Sequence, residues 1–234
     1  MLLKWFSRLL HTPILLVLFY FFSSIFTPLV VKASLMPNVF INEIHYDNTG
    51  GDIGEYVEIA GDGNVDLTGW SLRLYNGNNG KEYNSFNVDS WSYIDTLTQF
   101  GFHKIKTTGL QNGSPDGLVL FDGVDIIQFL SYEGNFTATD GIANGISSTD
   151  IGVMEPSNTP IDFSLQLTGK GSRYSDFSWS SPQANTFGTV NTGQEFVISV
   201  SEPSNLLLVY LVLISLFLLS KRQCFRFLPD PLTL

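Results

Sequence analysis

Apolar and polar residues alternate over short stretches in the middle of the chain, and longer apolar runs lie near its two ends. The alternation is clear in Val39–His45 (VFINEIH), in residues 55–59 (EYVEI) and in residues 70–75 (WSLRLY). A period of two residues buries one face of a β-strand and leaves the other face in water. Because Gly, Asn and Asp separate these stretches, we predict an all-β fold of the antiparallel β-sandwich type.

The second half of the middle region shows the same pattern. Residues 117–121 (GLVLF) and 124–132 (VDIIQFLSY) flank Asp122-Gly123, which is a sequence typical of a tight β-hairpin. Residues 163–167 (FSLQL) and 174–179 (YSDFSW) predict two late strands. Residues 87–109 are less regular, and their aromatic side chains either cover an edge of the core or stack on sugars: Trp91, Tyr93, Phe100 and Phe102.

Large apolar side chains at alternate strand positions identify the expected core. Trp70 follows the turn Thr68-Gly69, and we expect its indole to pack between the two sheets. The same alternation assigns four more side chains to core faces: Tyr56, Ile59, Leu72 and Leu74.

The amino-terminal end has the pattern of a secretory signal peptide. Lys4 and Arg8 precede the apolar residues 14–22 (ILLVLFYFF), and a small-x-small processing sequence ends at Ala33. We therefore predict a signal peptide over residues 1–33, cleaved before Ser34. An uncleaved amino-terminal anchor is the alternative.

The carboxyl-terminal end predicts a membrane segment. Residues 206–219 (LLLVYLVLISLFLL) are followed by Lys221-Arg222, which favours a transmembrane helix over residues 205–222 with its basic end in the cytoplasm. Residues 196–204 then form a linker, and residues 223–234 a short tail.

The linker carries Glu202-Pro203-Ser204 directly before the apolar helix and the basic pair. This order resembles the PEP-CTERM sorting signal of Gram-negative bacteria. The resemblance implies cleavage by an exosortase-type enzyme, after transient anchoring in the inner membrane, and delivery to the cell surface, outer membrane or extracellular matrix. The chain departs from that pattern at Ser201, where the family has Pro, and in residues 223–234, so a single-span anchor stays open.

Three ordered segments carry a second resemblance: residues 40–44 (FINEI), 54–59 (GEYVEI) and 65–72 (VDLTGWSL). Together they resemble the lamin tail domain. Three later blocks are similar to its secreted bacterial branch: residues 111–117, 129–134 and 164–169. The resemblance covers residues 37–195 and implies an immunoglobulin-like β-sandwich that serves as a binding or structural module.

The charge of the middle region argues against direct nucleic-acid binding. Residues 34–204 contain six Lys or Arg and 21 Asp or Glu, a formal charge of −15. Binding to a phosphate backbone requires basic side chains, whereas an acidic surface attracts divalent cations or basic partners. The alternative is that the charge serves solubility alone. Cys224 is the only cysteine, so we expect no disulfide in the domain.

The middle region offers few groups for catalysis. Its histidines are His45 and His103, and no G-x-S-x-G motif accompanies them. We predict a non-catalytic module without a required cofactor, whose partner is an extracellular polysaccharide or protein. The alternative, which the lamin-tail resemblance implies, is an accessory domain acting with a secreted nuclease of the endonuclease/exonuclease/phosphatase type.

A glycine-rich acidic loop is the candidate metal site. Residues 47–55 (DNTGGDIGE) place the carboxylates of Asp47, Asp52 and Glu55 on a chain segment that can wrap around an ion. Calcium prefers such flexible oxygen ligands, although the spacing differs from that of an EF-hand. A solvated loop stabilised by Asx turns is the alternative.

Overall fold

The structure is a computed structural model that describes residues 37–197 and 209–216. The strands of the described region are β1 (Val39–His45), β2 (Tyr56–Asp62), β3 (Trp70–Asn76), β4 (Lys81–Val88), β5 (Tyr93–Ile94), β6 (Phe100–Lys106), β7 (Asp116–Phe121), β8 (Ile126–Tyr132), β9 (Thr149–Asp150), β10 (Phe163–Gly171), β11 (Phe177–Ala184) and β12 (Gln194–Phe196). A single 3-10 turn, Tyr174–Asp176, precedes β11 within these residues.

The strands form two sheets. The first sheet has the order β11-β10-β1-β2-β6-β5, and β12 also pairs with β10; the second has the order β4-β3-β7-β8-β9. Most neighbours are antiparallel, but β12 runs parallel to β10 and β9 runs parallel to β8. The predicted all-β fold is confirmed, and the sheets are mixed rather than purely antiparallel.

The main core lies between the sheets. Ile41 and Ile59 from the first sheet and Leu118 from the second are buried in it together. The core predictions for Trp70, Ile59, Leu72 and Leu74 are confirmed, since all four belong to this core. Burial of so many large apolar side chains supplies the main favourable free energy of folding.

Tyr56 differs from its prediction. Val57 and Ile59 point into the core, so the alternation of β2 turns Tyr56 and Glu58 to the opposite, outer face of the first sheet. The half-buried Tyr56 ring packs there on Phe187, with ring centroids 5.4 Å apart. The tyrosine is therefore covered by the carboxyl-terminal part of the domain rather than by the second sheet.

Two strands lie where the sequence showed no clear alternation. β4 (KEYNSFNV) is polar because it forms an edge of the second sheet, and β6 falls within the stretch expected to be irregular. The hairpin at Asp122-Gly123 is present, but its loop runs from residue 122 to 125. There Asp122 Oδ1 accepts the backbone N–H groups of Val124 and Asp125 at 2.8 and 2.6 Å.

Residues 185–197, which we call the strap, follow β11. Their first part contacts the outer face of the first sheet, and their last part, β12, joins that sheet by pairing with β10. Phe196 of the strap packs on Phe100 with ring centroids 4.1 Å apart, and it also meets Phe102 and Phe177. Phe40 and Leu167 complete this second apolar cluster. The first sheet is therefore covered on both faces, by the second sheet and by the strap.

The chain ends are described only in part. Residues 209–216 are helical, and their apolar side chains are exposed. Among the described residues no helix has the length and apolar character needed to cross a membrane. The predicted signal peptide (1–33), the sorting motif Glu202-Pro203-Ser204, the tail (223–234) and the rest of the predicted transmembrane helix lie outside the described residues.

Candidate functional site

The acidic loop leaves β1 at Asp47 and enters β2 after Glu55. Asp47 and Asp52 lie side by side, and Asp52 Oδ2 also accepts a hydrogen bond from Asn112 Nδ2 at 3.1 Å. Partial burial and the neighbouring charge of Asp52 both raise the pKa of Asp47. Two adjacent carboxylates repel each other, and the binding of a cation or a proton relieves this repulsion.

Glu55 is turned away from this pair and toward the backbone. Its Oε2 accepts the N–H groups of Gly109 and Leu110 at 2.6 and 3.3 Å, and burial raises the pKa of the carboxyl group. Within residues 37–197 and 209–216, no three His, Cys, Asp or Glu side chains converge to hold a metal ion. Calcium binding stays a prediction, with Asp47 and Asp52 as the two carboxylates that the fold brings together.

The loop is held by its own hydrogen bonds. Asn48 Oδ1 accepts the N–H of Ile53 at 3.1 Å, and Asn48 Nδ2 donates to the carbonyl of Gly51 at 3.0 Å. Thr49 N–H donates to the carbonyl of Thr159 at 2.9 Å. The contacts of Asn48 are of the Asx type expected for a solvated loop, and the contact of Thr49 ties the loop to the segment before β10.

His45 is paired with a carboxylate that the sequence did not point to. Its Nδ1 lies 2.9 Å from Glu155 Oε1, and both side chains are buried. Glu155 Oε2 accepts the backbone N–H groups of Tyr46 and Asp47 at 2.6 and 2.9 Å. Burial lowers the pKa of His45, but the hydrogen bond and charge of Glu155 outweigh it, so the net pKa is raised. No local motif marks Glu155, because it lies on a distant loop.

His103 makes a second polar contact at the surface. Its Nδ1 lies 2.9 Å from the hydroxyl of Ser92, and burial lowers its pKa although Asp89 opposes the change. A serine beside an imidazole is one element of a nucleophilic site, which also needs groups that bind the developing oxyanion. Here the pair lies on the exposed hairpin of β5 and β6, where the contact holds the two chain segments together.

Most aromatic side chains of this region pack against the rest of the domain. Phe100 and Phe102 are buried under the strap, and Trp91 donates its indole N–H to the carbonyl of Val65 at 3.0 Å. Tyr93 is about half exposed and stacks against Phe102 with centroids 6.3 Å apart. Of the four aromatic side chains considered for sugar stacking, Tyr93 is therefore the one that offers an open ring.

The most extensive polar site lies beneath the strap. Glu43 of β1 and Glu58 of β2 are directly opposite each other across the two strands, and neither is exposed. Burial raises the pKa of Glu58 to about 8, with a further rise from the charge of Glu43. Burial also raises the pKa of Glu43, although hydrogen bonds from Ser164, Thr186 and Gln166 oppose the shift.

Comparison with known proteins adds no relative: no family model, no curated protein and no solved structure matches the chain.

Proposed function

We propose that this chain is an exported, non-catalytic β-sandwich module of the cell surface or extracellular matrix, immunoglobulin-like and related to the lamin tail domain. The observation that carries the proposal is the use of its buried carboxylates. Glu43, Glu58 and Glu155 each receive hydrogen bonds from segments more than 100 residues away in the chain. Such bonds tie the domain together, and they occupy the groups that a hydrolase would need.

The burial of these groups supports a structural role. A general base has to come within hydrogen-bond reach of a substrate, directly or through one water. His45 is 1% exposed and Glu155 is equally covered, so neither group can meet an extracellular polymer without opening of the domain. The formal charge of −15 on residues 34–204, six basic against 21 acidic, favours cations or basic partners over nucleic acid.

The surface of the domain suggests where a polysaccharide or protein partner would bind. Tyr93, Ile94 and Leu97 are exposed on the hairpin of β5 and β6. An open aromatic ring beside aliphatic side chains provides apolar contact area with a polar hydroxyl group. The partner class rests on this chemistry, and Tyr93→Ala is the variant that should weaken binding to purified envelope polysaccharide.

Export and sorting are proposed from the two chain ends. The signal peptide directs the domain across the inner membrane. The Glu202-Pro203-Ser204 motif, followed by an apolar segment and a basic pair, fits an exosortase-type processing enzyme. A permanent single-span anchor is the competing arrangement. Both place the sandwich on the outer side of the membrane.

Cell fractionation combined with intact-mass measurement tests this proposal. We expect a mature protein that begins at Ser34 and has lost the residues after the sorting motif, recovered from the surface or the medium. Pro203→Ala should leave the protein membrane-bound with its tail intact, whereas Pro231→Ala, in the tail, should not change sorting. Recovery of the unprocessed chain from the cytoplasm would overturn the export proposal, and an intact tail in the wild-type protein would favour the single-span anchor.

A further inference from the structure

Two carboxylates hold the first residues of the strap against the first sheet. Glu43 Oε1 accepts the N–H of Thr186 at 2.8 Å, and Glu43 Oε2 accepts the Thr186 hydroxyl at 3.1 Å. Glu58 Oε2 accepts the N–H of Gly188. The first residues of the strap are therefore held by acceptors on β1 and β2.

Neutral contacts hold the rest of the strap. Asn191 Nδ2 donates to the carbonyls of Asn42 and Leu167, both at 3.0 Å. Gln194 Nε2 donates to Asn42 Oδ1 at 2.7 Å, and Phe196 enters the aromatic cluster. These contacts do not titrate. The pairing of β12 with β10 and the exposed ion pair of Lys170 with Glu195 complete the attachment, so the buried titratable contacts of the strap are those of its first residues.

The surroundings of the two carboxylates supply little compensating charge. The basic group facing Glu58 is Lys104 of β6, which is paired with it in the strand register and whose Nζ also lies 5.8 Å from the ring centroid of Tyr56. The other groups that face the pair are neutral donors from β1, β10 and the strap: Asn42, Ser164, Gln166, Thr186 and Gly188. Two negative charges at directly opposite positions of adjacent strands repel each other, and burial strengthens the repulsion.

We propose that the first residues of the strap, 185–190, form a proton-operated clasp, closed while the Glu43–Glu58 pair retains a proton and released from the first sheet when both carboxylates are ionised. Release separates Phe187 from the ring of Tyr56, on which it packs in the closed state.

The direction of the proton dependence follows from the raised pKa values. The folded, closed state binds more protons than the open state, in which the carboxyl groups are hydrated and have ordinary pKa values near 4.5. The contribution of Glu58 to closure is complete below that ordinary pKa. It declines as the pH rises and is lost above the folded pKa of about 8.

Amide hydrogen exchange of the full chain tests the clasp, because protection factors already account for the intrinsic effect of pH on exchange. The N–H of Gly188 is the reporter, since it donates to Glu58. We expect its protection to decrease by up to about tenfold per pH unit between pH 6 and pH 8. The amides of β3, in the second sheet, should keep their protection over this range.

Two neutral variants identify the groups responsible. Glu58→Gln and Glu43→Gln each keep a hydrogen-bond acceptor and remove one charge. Strap protection should depend on pH much less in Glu58→Gln, and it should fall less steeply than in the wild type in Glu43→Gln, where burial still raises the pKa of Glu58. Glu195→Gln is the matched control, since Glu195 lies in the strap but is exposed and paired with Lys170 at 2.6 Å. It should retain the wild-type pH dependence.

Three results would overturn the clasp: constant protection of Gly188 in the wild-type protein, equal loss of protection in β3, or an unchanged pH dependence in the glutamine variants. If Glu58→Gln does not fold, Glu43→Gln and the wild-type profile still decide between these outcomes.

Discussion

His45 and Glu155 form a buried pair that joins the end of β1 to the loop before β10, with 2.9 Å between Nδ1 and Oε1. The same carboxylate receives the backbone N–H groups of Tyr46 and Asp47, and the backbone N–H of Glu155 donates to the Tyr46 hydroxyl at 2.8 Å. Glu155 therefore satisfies three donors at the point where the chain leaves the first sheet and begins the acidic loop.

Removal of the Glu155 carboxylate should be strongly destabilising. Glu155→Ala leaves a buried imidazole and two buried N–H groups without their acceptor, which typically costs about 3–5 kcal/mol. Equilibrium unfolding in urea measures this loss. Glu195→Ala, which removes a largely exposed carboxylate, should change the free energy of unfolding by less than about 1 kcal/mol. Equal losses in the two variants would show that the buried pair has no special role.

The same pair predicts a pH dependence of stability. Because the pKa of His45 is raised in the folded state, its contribution is complete below pH 6.5 and is lost as the pH rises through the folded value. In Glu155→Gln the carboxylate charge is gone, and burial then lowers the pKa of His45 in the folded state. The pH dependence is therefore reversed: His45 should make the variant less stable as the pH falls below 6.5. The difference in unfolding free energy between the two proteins, measured from pH 5 to pH 8, should therefore shrink with rising pH. A constant difference would contradict this assignment.

Strand positions were predictable where one face of a strand is apolar and the other polar. β1 has the predicted bounds, Val39–His45, although all seven residues are buried and a register shift between Ile41 and Glu43 interrupts its alternation. Trp70 is buried as expected. β4 could not be found in this way, since Lys81–Val88 lies at a sheet edge and is mostly polar. β6 was missed because Gly101 and His103 interrupt its apolar face. Alternation of apolar and polar residues is expected where a strand has one buried and one solvated face. A strand at a sheet edge, or one that is also covered by the strap, lacks this alternation.

The polar sites were less predictable than the strands, because their partners are distant in sequence. Asp47 and Asp52 lie on one short loop, and the structure brings them together as the spacing suggested. Glu55 belongs to the same loop, but its carboxylate is directed away from the two aspartates because it accepts the N–H groups of Gly109 and Leu110. The contacts of Glu43 with Thr186 and of His45 with Glu155 depend on the fold, and no spacing rule connects such residues.

Calcium should raise the melting temperature of the protein if the Asp47–Asp52 pair binds it. A ligand present at 100 times its dissociation constant stabilises a protein by about 2.7 kcal/mol. Asp52→Asn should abolish the shift at millimolar calcium, while the surface variant Asp89→Asn should retain it. Because the Glu55 carboxylate holds backbone N–H groups, Glu55→Gln should lower the melting temperature without calcium and keep the shift. Absence of any shift in the wild-type protein would exclude the site.

The aromatic end of the strap should contribute as much to stability as a residue of the main core. Phe196 is 6% exposed, and its ring centroid lies 4.1, 5.3 and 5.7 Å from those of Phe100, Phe177 and Phe102. Removing a buried phenylalanine side chain costs the free energy of its transfer from water and leaves a cavity, together about 3–5 kcal/mol. We expect Phe196→Ala to lower the unfolding free energy in urea by this amount.

Phe187→Ala provides the comparison within the same segment. Phe187 is half-buried and contacts Tyr56, so its loss should cost clearly less than that of Phe196. If the strap unfolds together with the sandwich, Phe196→Ala will shift the urea midpoint and leave the slope of the transition unchanged. A reduced slope, with strap amides unprotected in the native protein, would instead mean that the strap detaches from a sandwich that stays folded without it.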